Sequence, residues 1–138
     1  MAIHPNTPED DRIHAVVAII QRDNTFLFVK RSNYIEAASG YWCPVSGRIE
    51  KGETQQDALK REVMEELGVV AVAAEKLCEI PSPDGQFFLS YWRTEITVGE
   101  AQICSHEATE LKWVTLEELR QLHPTFEEEV QIVETFAR

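Results

Sequence analysis

"GRIEKGETQQDALKREVMEELGV", Gly47 to Val69, is the stretch on which the reading of this chain turns. Its last third puts three glutamates, Glu62, Glu65 and Glu66, within five residues. Thr54 is a good N-cap, and Asp57 three residues on makes a capping box. Gly68 is a good C′ stop, so the spacing predicts a helix over residues 55–67. At about 100° per residue, the three glutamates share roughly a 100° arc of that helix. Ala58 lies in the same arc, one turn earlier, where its small side chain leaves room. Leu59, Val63 and Leu67 form a neighbouring stripe that should face the core. The carboxylates therefore sit at the edge of the buried face, where a purely solvated acidic face would lie opposite it. Like charges three and four apart on a helix repel. Taken alone, the stretch reads as a solvated face. Converging carboxylates also suit a hard divalent cation such as Mg²⁺, which prefers oxygen ligands and commonly bridges to phosphates.

The rest of the chain supplies the frame. Its 138 residues fit one domain, 1–138, with residues 1–12 a loose lead-in. "IHAVVAIIQ" (13–21) reads as a buried strand, "RDN" as a turn, and "TFLFVKR" (25–31) as the second strand of a hairpin. Residues 32–41 read as a loop, "WCPV" as a short strand and residues 47–53 as a glycine-bounded loop. After the helix, residues 69–80, 87–98 and 110–114 read as strands, with "PSPDGQ" a turn. Residues 115–122 and 124–137 read as helices, with Phe126, Val130, Val133 and Phe136 as the core stripe of the last. Strands, helix, strands, helices make a mixed α/β fold with the sheet covered on two sides.

Composition narrows the partners. The net charge of −11 argues against binding long nucleic acid or an anionic membrane. A small anionic substrate would need local cations, basic side chains or metal. No apolar run approaches the roughly 18 residues of a membrane span, and the N-terminus lacks the basic start and apolar core of a signal peptide. Cys43, Cys78 and Cys104 are odd in number and widely spaced, which suggests a reduced, cytoplasmic setting.

From Gly47 the chain runs five residues to Glu53, seven more to Arg61-Glu62-Val63, one to Glu65-Glu66 and one to Gly68-Val69. This resembles the signature of the Nudix hydrolase family, G-x5-E-x7-R-E-U-x-E-E-x-G-U with U aliphatic, and every specified position is filled. The strand order and the tail "ELKWVTLEEL" resemble the family too, so the likeness spans residues 13–137.

The resemblance implies an α/β/α sandwich around a mixed central sheet. It implies a Mg²⁺- or Mn²⁺-dependent pyrophosphohydrolase that cleaves a nucleoside diphosphate linked to another group, by water attack on phosphorus. Glu62, Glu65 and Glu66 would carry the metal, joined by the carbonyl of Gly47. Glu53 and Arg61 would pair, holding the loop against the helix, with an exposed surface salt bridge as the plainer reading. The general base is open: Glu62, or Glu107 or Glu110 from "SHEATELKWV", where solvated loop glutamates are the alternative. His106 is most simply surface. Lys30 and Arg31, at the end of the second strand, and Arg48 and Lys51, in the signature loop, are candidate phosphate contacts or ordinary surface charge. Tyr41, Trp42, Phe87 and Trp92 could stack on a base, or be core.

Ser46-Gly47 stands where the family often has two glycines, a variant similar to some members acting on pterin or nucleoside triphosphates. Pro83 lies near where ADP-ribose hydrolases tend to carry a proline, and the tyrosine of dinucleoside polyphosphate hydrolases is missing. A nucleoside triphosphate or similar small nucleotide is the leading substrate class. The alternatives are an ADP-ribose or sugar-nucleotide hydrolase and, outside enzymes, a nucleotide-sensing regulatory domain. Members of the family are often dimers, which makes a homodimer one assembly open to this chain.

Overall fold

A computed structural model describes residues 12–32 and 38–136. The element order is β1 (Ile13–Arg22), β2 (Thr25–Arg31), β3 (Trp42–Cys43), β4 (Val45–Arg48), α1 (Gln55–Leu67), β5 (Val70–Pro81), β6 (Phe87–Val98), β7 (Ala108–Thr115), α2 (Leu116–Gln121) and α3 (Glu127–Phe136). Among the described residues the strands form one seven-stranded sheet with the path β3-β2-β1-β6-β5. β4 also pairs with β1, and β7 with β2. β1 and β6 run parallel while the other pairs are antiparallel, so the sheet is mixed, as expected.

β1 shows why its sequence is apolar without alternation. Val16, Ala18 and Ile20 face one core, with Leu59, Val63 and Leu67 of α1. Val17 and Ile19 face the other, with Leu119 of α2 and Ile132 and Val133 of α3. A strand covered on both faces has no solvent side to make polar. The result is the α/β/α sandwich, α1 on one face and the two later helices on the other.

The differences from expectation have local causes. "WCPV" is two strands, because Pro44 has no N–H to continue a ladder; β3 pairs with β2 and β4 with β1. β4 runs on through Gly47 and Arg48, so the loop before α1 starts at Ile49 rather than at Gly47. The last helix starts at Glu127, not at Pro124. The preceding residues have other work: the carbonyl of Pro124 accepts a hydrogen bond from the Trp42 amide at 2.9 Å, and Thr125 bridges to Trp42. Phe136, expected in the core, is 41% exposed, whereas Val133 is fully buried. Most of the lead-in and half of the 32–41 loop lie outside the described residues.

Candidate active site

Helix α1 is held at both ends as its sequence dictates. Thr54 Oγ1 accepts from the Asp57 amide at 3.0 Å, the Thr54 half of the expected box. Gly68 closes the helix in the left-handed region, φ 69°, with its N–H on the Met64 carbonyl. The freed carbonyls of the last turn find partners in the β6–β7 loop: the amides of Cys104 and Gln102 donate to Glu66 and Leu67 at 2.9 and 3.1 Å. That loop is thereby pinned to the end of α1.

The capped helix turns its carboxylates unequally. Glu66 is buried and the Glu62 side chain is only 16% exposed, while that of Glu65 is 56% exposed. Ala58, one turn before Glu62, is fully buried with the α1 core. Gly47 explains how Glu62 fits. A Cβ on Gly47 would lie 2.0 Å from Glu62 Cδ, so the Glu62 carboxyl rests on bare β4 backbone.

Arg61 ties the loop to the helix. Its Nε and Nη2 donate to the two Glu53 oxygens at 2.7 and 2.9 Å, the bidentate geometry that makes such pairs strong. Nη2 also donates to the Arg48 carbonyl at 3.0 Å, and Nη1 to Glu62 Oε2 at 2.8 Å. Glu53 Oε1 takes the Glu50 amide as well. Arg61 and that amide hold the Glu53 carboxyl down at about 2. The pair is therefore a built strut and not a loose surface contact.

Glu62 and Glu66 are pushed the other way. Burial raises both. Arg61 opposes the rise at Glu62 and the Ser105 hydroxyl opposes it at Glu66. The charges of Glu65 and Glu107 add to the rise at each. Four carboxylates thus repel one another around one half-buried spot.

Of the loop glutamates, the fold brings in Glu107 and leaves Glu110 out. Glu107 borders a small gap with Glu66 and Arg31. Its amide donates to Ser105 Oγ at 3.1 Å, and Ser105 Oγ donates to Glu66 Oε1 at 3.0 Å. Glu110 continues the row of Lys112 and Val114, which faces α2 and α3, and pairs with Lys30 across the strands at 3.7 Å. Lys30 is thereby spoken for on the far face. Ser105 was not foreseen; a hydroxyl two residues before a candidate base was the available signal. His106 is exposed.

Among the candidate substrate contacts, Arg31 sits at the end of β2, on the same gap as Glu66 and Glu107. The Arg48 guanidinium lies 5.9 Å over the Phe87 ring. Trp42 and Trp92 are core residues, and Tyr41 stacks on Phe126 at 4.8 Å.

Among the described residues, no three His, Cys, Asp or Glu side chains are drawn tightly enough to hold a metal ion as they stand; Arg61 Nη1 spans Glu62 and Glu65 instead. The donor set nevertheless fits a hard divalent cation. It offers only oxygens, from Glu62, Glu65, Glu66 and the Gly47 carbonyl, and its carboxylates repel one another in a way that a dication relieves. The side-chain-free Gly47 leaves the approach clear.

The chain belongs to the Nudix hydrolase family: the model of the NUDIX domain matches residues 11–136. It is similar to a CTP pyrophosphohydrolase of Escherichia coli K12, 32% identical over 126 residues that cover 90% of each chain. It is also similar to NAD-capped RNA hydrolase NudC of E. coli, 28% identical over 79% of this chain, which spans only 41% of that protein. In three dimensions it resembles a MutT NUDIX hydrolase from Burkholderia pseudomallei, with a TM-score of 0.77 at 25% identity, covering 90% of this chain and 97% of the other.

Proposed function

We propose that the chain is a Mg²⁺- or Mn²⁺-dependent pyrophosphohydrolase of nucleoside triphosphates or similarly small nucleotides. The observation that carries this reading is the half-buried carboxylate group on α1, seated on the bare backbone of Gly47 and faced by Glu107. Glu62, Glu65, Glu66 and the Gly47 carbonyl would hold the metal. When bound, such an ion polarises phosphoryl oxygens, acidifies water and neutralises charge in phosphoryl transfer.

The chain's own residues do the rest. The Glu53–Arg61 strut fixes Glu62 and the loop after β4 relative to the helix. Glu62 is committed to Arg61, whereas Glu107 is exposed and has its backbone fixed by Ser105. Glu107 is therefore the better placed to take the proton of an attacking water. Arg31, on the same gap, is placed to meet substrate phosphate. The 32% identical relative that acts on CTP supports a nucleoside triphosphate as substrate.

The test is a substrate screen with Mg²⁺, with Mn²⁺ and with chelator. Nucleoside triphosphates, ADP-ribose, sugar nucleotides and dinucleoside polyphosphates would be offered to wild type and Glu66→Gln side by side. Metal-dependent release of phosphate or pyrophosphate by wild type, and its loss in the variant, is expected. Equal turnover by both would sink the metal assignment. Inactivity over the whole panel would favour a sensing domain.

A further inference from the structure

The β6–β7 loop pins the last turn of α1, and the first turn has an anchor of its own. Gln55, the first residue of the helix, holds two partners at once. Its Oε1 accepts the indole N–H of Trp92 on β6 at 2.9 Å, and its Nε2 donates to Glu79 Oε2 on β5 at 3.2 Å. The same Glu79 oxygen accepts the Ser90 hydroxyl at 3.1 Å and pairs with Lys76, whose Nζ also lies 6.0 Å over the Trp92 ring. Ser90 and Trp92 are buried. Lys76 first, then Gln55 and Ser90, hold the Glu79 carboxyl below the usual carboxylate range.

We propose that Gln55 is a positioning residue of the hydrolytic site: it fixes the seat of α1 on β5 and β6, and through the helix it sets where Glu62 and Glu66 stand. The inference rests on reading the chain as a metal-dependent hydrolase and deepens it. A primary amide suits this place because one end must accept and the other must donate. Leucine would fill the volume but leave the indole N–H of Trp92 unpaired. Glutamate would keep Trp92 but set its carboxylate against that of Glu79. Hydrogen bonds fix direction as well as distance, which apolar packing alone does not.

Direction matters because of where the helix leads. Gln55 and Glu62 are seven residues apart, about two turns and about 10 Å along the axis, so they share one stripe of α1 to within about 20°. That stripe crosses the sheet. Gln55 lands on β5 and β6, whereas Glu62 lands on Gly47 of β4, on the other side of β1. The helix is a beam laid over the strands, seated at Gln55 and at the amides of Gln102 and Cys104. A turn or slide of the beam at Gln55 carries Glu62 with it. A cation that draws Glu62 and Glu66 together pulls on the same beam, and the pull arrives at Trp92 through Gln55.

The test joins NMR to kinetics. Mg²⁺ is titrated into ¹⁵N-labelled protein without substrate, following the indole N–H signal of Trp92 together with the backbone amides of Glu62 and Glu66. In wild type the Trp92 signal is expected to shift with the same midpoint as those amides, although the indole holds no metal. In Gln55→Leu the amides should still titrate and the Trp92 response should vanish. On the nucleoside triphosphate that wild type hydrolyses, at saturating Mg²⁺, Gln55→Leu should lose about tenfold in kcat with KM changed by less than about twofold, the size of effect typical of a residue that supports a metal site. Gln55→Glu should lose as much, and adding Glu79→Gln should restore it, because donor and acceptor have only changed places. Three results would overturn the proposal: a Trp92 signal that stays still in wild type while Glu62 and Glu66 titrate, wild-type kcat in Gln55→Leu, or no rescue of Gln55→Glu by Glu79→Gln. Silence at Glu62 and Glu66 in wild type would defeat the metal reading itself, and this inference with it.

Discussion

A single methyl group is the most economical probe of this site. Gly47→Ala would put a Cβ within 2.0 Å of Glu62 Cδ, so the Glu62 carboxyl must move. A displacement of about 1 Å in such machinery can cost on the order of 100-fold in rate. The expected outcome is that loss in kcat/KM, with far-UV circular dichroism unchanged; full activity would show that Glu62 does not need this seat. Glu53 offers a second probe, through pH. Its pKa is depressed to about 2 from an ordinary 4.5, so the folded state releases this proton more readily than the unfolded chain. Its contribution to stability is therefore complete above about pH 4.5 and is lost as pH falls through about 2. In acid titrations followed by fluorescence, wild type should be more stable than Glu53→Gln at neutral pH, and the two should converge near the bottom of that window. A stability gap that persists at the lowest pH would mean that Glu53 acts through packing and not through its charge.

At the scale of elements, α1 and its two ends were the most legible part of the sequence. Thr54 and Gly68 are residues whose backbone preferences mark helix ends, and the structure places the helix where they say. The Glu53–Arg61 strut was legible through the resemblance to the family signature, and the structure builds it across Thr54 and nearly two turns of the helix. What was hidden depends on contacts between distant segments. Glu107 and Glu110 look equivalent in "SHEATEL", yet Glu107 stays in the loop before β7, on the gap with Glu66, while Glu110 lies within β7 and its register turns it to Lys30 on the other face. The start of α3 was hidden for the same reason: Pro124 and Thr125 are claimed by Trp42, over eighty residues earlier in the chain. Ser105 belongs to this group, and it is also where the β6–β7 loop can be tested. Removing its hydroxyl in Ser105→Ala takes a hydrogen bond from Glu66 and releases the Glu107 amide. Supporting residues of a metal site typically cost 10- to 100-fold in activity or metal affinity, and a drop of at least about tenfold in kcat/KM is expected here. Thr54→Ala should behave oppositely, lowering stability by about 1 kcal/mol through the lost cap while leaving kcat near wild type. If the two variants lost activity equally, the loop would have no special hold on the site.

For the whole molecule, the balance to explain is a −11 chain that nevertheless gathers four carboxylates in one place. The two-sided sheet makes the gathering possible: α1 is clamped to one face by Leu59, Val63 and Leu67, and the second core under α2 and α3 keeps the sheet from yielding. The chain therefore holds its acidic groups near each other at a cost, and a bound dication should return that cost as stability. Any ligand that binds only the folded state stabilises it by RT ln(1 + [L]/Kd), about 2.7 kcal/mol at a hundredfold excess over Kd. For a domain of this size that corresponds to a rise in Tm on the order of 10 °C. Thermal unfolding of wild type with saturating Mg²⁺ or Mn²⁺ should show such a rise, reversed by chelator. Glu66→Gln should lose most of it. Glu110→Gln supplies the internal control, because that carboxylate pairs with Lys30 on the opposite face of the sheet and should leave the metal-induced shift intact. A shift abolished equally by both substitutions would point to diffuse charge screening of an acidic surface. A shift abolished by Glu66→Gln alone locates the cation on α1, independently of any substrate.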